Sequence, residues 1–317
     1  VSMRDNVQLA TDIYLPENIQ AHVVILIRTP YNKNQNSLLG INWAQNGWPT
    51  VIQDMRGRFA SQGNDTVFKN EHTDGPDTLA WIANQSWSNG KIATFGGSAL
   101  GITQYLTAGA NPPSLACQYI QVATPNLYKH AMYPGGEFRK NLVEGWLEGQ
   151  GRTYIIPELW AHENYTMEYW ANLSLEDKWN NVNVPAIHIG GWYDVFTQGT
   201  IDGFLGYQHL GGPKALGKSK LIIGPWTHGG AGITKQGELI YPENSVDNFS
   251  QLLFWHMISE FTMGESTDYD DWPAVTYYVM GDVNDLNAPG NEWRYADDWP
   301  IPTIERAWYL QANGSLL

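Results

Sequence analysis

A serine, an acid and a histidine stand out in this chain for the residues around them. Ser98 lies in Ile92-Ala-Thr-Phe-Gly-Gly-Ser-Ala-Leu-Gly101, where an apolar strand-like run gives way to glycines, the serine and a helix-like stretch. A nucleophilic serine on a sharp strand-to-helix turn needs small neighbours, because the backbone is strained there. Gly96 and Gly97 supply them. A helix N-terminus behind the serine offers free N–H groups to a developing negative charge. The usual spacing is G-x-S-x-G; here Leu100 holds the last glycine's place and Gly101 comes one later. Taken alone, the segment fits equally well a glycine-rich loop that binds a phosphate or binds nothing.

The order of the later segments favours acyl-transfer chemistry. Serine hydrolases built on parallel sheets carry serine, then acid, then histidine, each after a later strand. The run Ala186-Ile-His-Ile-Gly190 leads into Gly191-Trp-Tyr-Asp194, and Leu221-Ile-Ile223 leads into Gly224-Pro-Trp-Thr-His228-Gly-Gly230. His228 would take the proton of Ser98, and Asp194 would fix the imidazole tautomer and stabilise its cation. The other histidines lack this context: His188 sits inside a strand, and His22, His209 and His256 have no strand-end setting. No H-E-x-x-H and no histidine pair beside a suitable acid occurs, so no metal is expected. Trp192, Phe196 and Trp226 flank the acid and the histidine; they are candidates to line a substrate pocket, or ordinary loop packing.

Such residues must be held by a parallel sheet, and the pattern supplies one. His22–Arg28, Pro49–Asp54, Lys91–Phe95, Ala116–Val122, Ala186–Ile189 and Lys220–Ile223 read as strands buried on both faces. Helical spacing separates them at Leu39–Gly47 and Asp77–Asn84, which predicts an α/β fold. From about 127 to 180 there is no buried-strand pattern, only amphipathic helix candidates such as Phe138–Glu148. That stretch is expected to form a helical cap over the carboxyl ends of the strands, where such folds bind ligands. After about 272 the pattern turns β-only, with Val275–Met280 and Ala307–Leu310 as strands.

Composition closes off other classes. The 317 residues carry 18 Lys+Arg against 32 Asp+Glu, a net charge of −14, so no nucleic-acid or anionic membrane partner is expected. With 43% hydrophobic and 16% charged residues the chain is not disordered. The single cysteine, Cys117, excludes an internal disulfide and reads as a small buried hydrophobe. A soluble protein is expected, cytoplasmic or secreted, with a homo-oligomer left open. The aromatic content of 13% suits a cleft for an organic ligand, although most rings must fill core.

Several longer segments point further. Arg4-Asp-Asn-Val-Gln-Leu-Ala-Thr-Asp12, Arg28-Thr-Pro-Tyr31-Asn-Lys33, Gln53-Asp54-Met-Arg56-Gly57-Arg58 through Ser61-Gln-Gly63, and Trp87-Ser-Asn-Gly90-Lys91 occur in that order before the serine. With Gly190–Phe196 and Gly224–Gly229, they resemble the cocaine-esterase/X-Pro dipeptidyl-peptidase family of α/β-hydrolases (CocE/NonD hydrolases), which includes the α-amino-acid ester hydrolases. The resemblance implies Ser98, Asp194 and His228 as catalytic triad, with the Ala99 N–H and the Tyr31 hydroxyl as oxyanion hole. It also implies an α/β-hydrolase fold with a helical cap and the start of a C-terminal jelly-roll β-sandwich. The expected division is 1–126 and 181–272 for the hydrolase core, 127–180 for the cap and 273–317 for an incomplete sandwich. Many members have tyrosine after the nucleophile, where this chain has Ala99, so the pocket wall differs. The Asp54, Arg56 and Arg58 loop is read as structural.

The expected function is hydrolysis of an ester or amide through a covalent acyl-enzyme, with no cofactor. X-Pro dipeptidyl-peptidase action on short peptides and simple carboxylesterase or α-amino-acid ester hydrolase action are the rival readings. A substrate ammonium would need carboxylates, for which Glu137, Glu144, Glu148, Glu158, Glu163 and Glu168 are available, or these form a solvated face. A binding protein on the same scaffold is the more distant alternative.

Overall fold

In the protein, as a computed structural model, residues 1–165, 167–285, 287–312 and 314 are described. The strands are β1 (Thr11–Tyr14), β2 (His22–Thr29), β3 (Thr50–Asp54), β4 (Ser88–Gly97), β5 (Leu115–Gln121), β6 (Ala186–Gly191), β7 (Lys220–Gly224), the short pair β8 (Lys235–Gln236) and β9 (Leu239–Ile240), β10 (Val275–Val279) and β11 (Glu292–Ala296). The helices are α1 (Ser37–Gln45), α2 (Glu71–Ala83), α3 (Ala99–Ala108), α4 (Lys140–Gly149), α5 (Ile156–Trp160), α6 (Met167–Trp170), α7 (Thr197–Leu205) and α8 (Ser250–Ile258). Nine strands form one sheet in the order β1-β3-β2-β4-β5-β6-β7-β10-β11. Only the outermost pairs, β1 with β3 and β10 with β11, are antiparallel.

Both faces of the sheet are covered, as its continuous apolar strands require. Along β2, Val24 and Leu26 turn to the side packed by α2 and α3, whereas Val23, Ile25 and Ile27 meet Trp43 of α1 and Phe254 of α8. Cys117 lies in this second layer, and burial pushes its thiol up, away from the reactive thiolate. Beneath the first layer, Arg28 and Glu71 form a buried ion pair. Burial raises the Glu71 carboxyl to about 7, against the pull of Arg28.

His188 is a buried residue of β6, as its place within a strand predicts, with Nδ1 2.7 Å from the Tyr105 hydroxyl. Burial lowers its pKa from 6.5 to about 3, so the folded chain holds it neutral while the unfolded chain binds a proton below 6.5. Stability from this group is complete above pH 6.5 and is lost as pH falls towards 3. Between pH 7 and 5 we expect urea-unfolding stability to fall by about 2 kcal/mol relative to His188→Met, a difference in which groups common to both proteins, such as Glu71 with its raised pKa, cancel. An equal loss in both proteins would show that other groups carry it.

The β-only end of the chain folds differently from expectation. Val275–Val279 does not open a separate sandwich; it pairs in parallel with β7, Val275 opposite Leu221 and Tyr277 opposite Ile223. The apolar edge of β7 needs a partner, and the segment between the strands carries α8, so the unit is another parallel crossover. Among the described residues Ala307–Leu310 forms no strand ladder, and Trp308, Tyr309 and Leu310 are exposed. Positions 286, 313 and 315–317 of the expected sandwich lie outside the described residues. Among the described residues of 127–180, α4, α5 and α6 with short helical turns are the regular elements. No helix among the described residues is long and apolar enough to cross a membrane.

Candidate active site

Strands β2, β4, β6 and β7 run parallel, so their carboxyl ends share one edge of the sheet. Tyr31 follows β2, Ser98 follows β4, Asp194 follows β6 and His228 follows β7. Ser98 takes φ 55° and ψ −125°, a sparsely populated conformation for a residue with a side chain. Its neighbours permit the turn. A Cβ at Gly96 would lie 2.5 Å from that of Leu100, and one at Gly101 would lie 2.5 Å from that of Ala123 on the loop after β5. Leu100 therefore fits in the last motif position because Gly96 lacks a side chain, while Gly101 lets α3 approach the sheet. The Ser98 N–H donates to the Gln121 carbonyl, and the Ser98 carbonyl accepts from Ile102 in the first turn of α3.

The three loops converge. His228 Nε2 lies 2.9 Å from Ser98 Oγ, and His228 Nδ1 lies 2.6 Å from Asp194 Oδ1. The Asp194 side chain is fully buried while that of His228 is 40% exposed, so the carboxylate is anchored and the imidazole faces the open side. Asp194 Oδ2 has no partner among the described residues, which leaves His228 as the group this carboxylate serves. The histidine loop is tied down by Thr227, whose N–H and hydroxyl both donate to Gln236 Oε1. Phe196 packs edge-on to the His228 ring, 5.5 Å between centroids.

A cavity of about 250 Å³ opens over Ser98 and His228. Phe196 lines it; so do Tyr31, Ala99 and Ile102, and from the 127–180 stretch Leu127, Met132, Leu142 and Trp146. Trp192 and Trp226 do not line it. Trp192 donates its N–H to the Tyr278 carbonyl of β10, and Trp226, fully buried, donates to the Ser245 carbonyl. Each indole turns away from the cleft to reach a backbone acceptor, so the expectation that Trp192 and Trp226 line the pocket is not met. The cavity wall is apolar. None of the six candidate ammonium-binding glutamates lines it: Glu137, Glu148, Glu163 and Glu168 are exposed, Glu144 lies 4.0 Å from Lys140, and Glu158 pairs with Lys69.

Tyr31 is held from below. The Lys33 N–H donates to Asp54 Oδ1 at 2.6 Å, and Arg58 Nε donates to the Pro30 carbonyl at 3.1 Å. Arg56 bridges Asp5 and Asp74. The charged loop after β3 is thus a brace for the tyrosine turn. Ala99, as the first residue of α3, has no acceptor for its N–H within the helix. Among the described residues no group of three or more His, Cys, Asp or Glu side chains is placed to hold a metal ion.

The model of the X-Pro dipeptidyl-peptidase (S15) family matches the chain at residues 5–154 and 144–230, which includes the ends of β2, β4, β6 and β7. The chain belongs to this family. Its members include relatives of the CocE/NonD type. The cocaine esterase of Rhodococcus sp. (strain MB1 Bresler) is 27% identical over 374 aligned positions, covering 99% of this chain and 62% of that protein. A CocE/NonD family hydrolase of Staphylococcus aureus superposes with a TM-score of 0.78 at 22% identity, over 99% of this chain and 57% of that one. An α-amino acid ester hydrolase gives 0.78 at 21% identity, over 100% and 61%. The α/β-hydrolase fold is therefore that of S15 and CocE/NonD proteins, and this chain spans under two thirds of their length.

Proposed function

We propose that this S15-family hydrolase is a serine esterase that transfers an uncharged, apolar acyl group through a covalent Ser98 intermediate. The observation that carries the reading is the hydrogen-bonded chain Ser98–His228–Asp194 at the floor of an apolar cavity. Ser98 Oγ attacks the ester carbonyl as its proton passes to His228 Nε2. The tetrahedral oxyanion accepts hydrogen bonds from the Ala99 N–H and the Tyr31 O–H. Collapse expels the alcohol, which takes the proton back from the imidazolium. Water then repeats the sequence on the acyl-enzyme, releasing the acid and restoring Ser98. Asp194 holds the His228 Nδ1–H throughout.

Between ester and X-Pro peptide, the cavity supports the ester. A dipeptide ammonium would enter a wall without a carboxylate, and desolvating an unpaired cation costs several kcal/mol. Short neutral chromogenic esters are therefore expected to exceed X-Pro anilides in kcat/KM by at least about 10²-fold. Equal or better cleavage of the anilides would move the assignment to dipeptidyl-peptidase. The domain division remains part of this proposal. Residues 127–180 form the cap, and the hydrolase core extends to Ala296 because β10 and β11 complete its sheet.

A further inference from the structure

One hydrogen bond joins the cap to the proposed oxyanion hole. Trp146, on α4, donates its indole N–H to the Tyr31 hydroxyl at 2.8 Å, across 115 residues of sequence. The two rings meet edge to face, 6.5 Å between centroids and 89° between planes. An indole N–H can only donate, so the direction of this bond is fixed. A phenol has one proton and two acceptor sites. With an acceptor site taken by Trp146, the Tyr31 proton is directed away from the indole and is free for an oxyanion. A hydroxyl that accepts a hydrogen bond is also polarised into a better donor.

The indole is itself clamped. Phe68 stacks on one side at 6.0 Å and 11°, and the Arg152 guanidinium lies 4.8 Å from the ring centroid. Arg152 is fully buried and paired with Asp65, which ties the clamp to the core. Trp146 also lines the cavity, which gives it a position set by both the cap and the acyl chamber.

We infer that Trp146 is a positioning residue for catalysis: its N–H orients the Tyr31 proton towards the oxyanion, so a closed cap completes the oxyanion hole. The inference rests on the proposed role of Tyr31. It extends that role by making the cap part of the catalytic geometry as well as part of the pocket wall.

A double-mutant cycle separates the two claims. Tyr31→Phe is expected to lower kcat roughly 10²–10³-fold, the usual effect of losing one oxyanion donor. Trp146→Phe keeps an aromatic wall and removes the N–H; it is expected to lower kcat roughly tenfold, with KM within about twofold of the parent. In the Tyr31→Phe background the same change should alter kcat by less than about twofold, because there is no hydroxyl left to orient. Benzothienylalanine at position 146 removes only the N–H and gives the same readout if the phenylalanine variant folds poorly. An equal loss of kcat in both backgrounds would overturn the inference, leaving Trp146 as cavity wall. So would an unchanged kcat for the Trp146 variants while Tyr31→Phe is impaired. An unimpaired Tyr31→Phe would overturn the oxyanion role itself, and this inference with it.

Discussion

Alanine at position 98 is expected to lower ester turnover by about 10⁶-fold, the scale of losing a triad serine. Without Oγ no acyl-enzyme forms, and what remains is the acceleration over water from the oxyanion donors and the cavity, about 10³–10⁴-fold. Folding should survive, because the side chain's hydrogen-bond partner is His228 and the backbone turn is held by Gln121 and α3. Ser98→Gly sharpens the point. The residue sits at φ 55°, which strains any side chain by about 1–3 kcal/mol, and glycine relieves it. The freer unfolded chain returns roughly 0.4–1 kcal/mol of that gain. The glycine variant should therefore be inactive yet unfold at equal or higher urea concentration than the parent. Inactivity accompanied by a large loss of stability in both variants would mean that Ser98 serves the fold.

Asparagine in place of Asp194 should lower kcat by about 10⁴-fold with KM little changed. The carboxylate is fully buried beside His228, with Oδ1 2.6 Å from Nδ1. In the proposed mechanism it fixes the tautomer in which Nδ1 carries the proton and Nε2 is free to accept from Ser98. An amide can present its NH₂ group to Nδ1 and so stabilise the opposite tautomer, which leaves no base beside the hydroxyl. The imidazolium of the transition state would also lose its counter-charge. Burst kinetics with a chromogenic ester check this: the acylation phase itself should slow. Slowing of deacylation alone would contradict the role.

Much of this arrangement was legible in the residues. Each chemical side chain comes after a run of apolar residues, and such runs form strands buried on both faces. Parallel strands put their carboxyl ends on one edge, so Tyr31, Ser98, Asp194 and His228 had to share it. The missed features depend on distant partners. Trp192 and Trp226 neighbour the site in sequence, but their N–H groups found carbonyls at Tyr278 and Ser245. Phe196 has no polar atom to satisfy and stayed against His228. Trp146 belongs to the expected cap helix, yet nothing local distinguishes it from the rest of the chain's 15 tryptophans; its partner lies 115 residues away. Strand β10 was legible as a strand, but its sequence does not show that β7 would be its neighbour.

Active-site labelling tests the central claim most directly. A fluorophosphonate reacts with a serine whose proton is taken by a neighbouring base, and its phosphoryl oxygen then occupies the oxyanion site. Peptide mass mapping should find one adduct, on Ser98, formed in step with the loss of esterase activity and lost in His228→Ala. Labelling elsewhere with Ser98 unmodified, or full inactivation without any adduct at Ser98, would contradict the account.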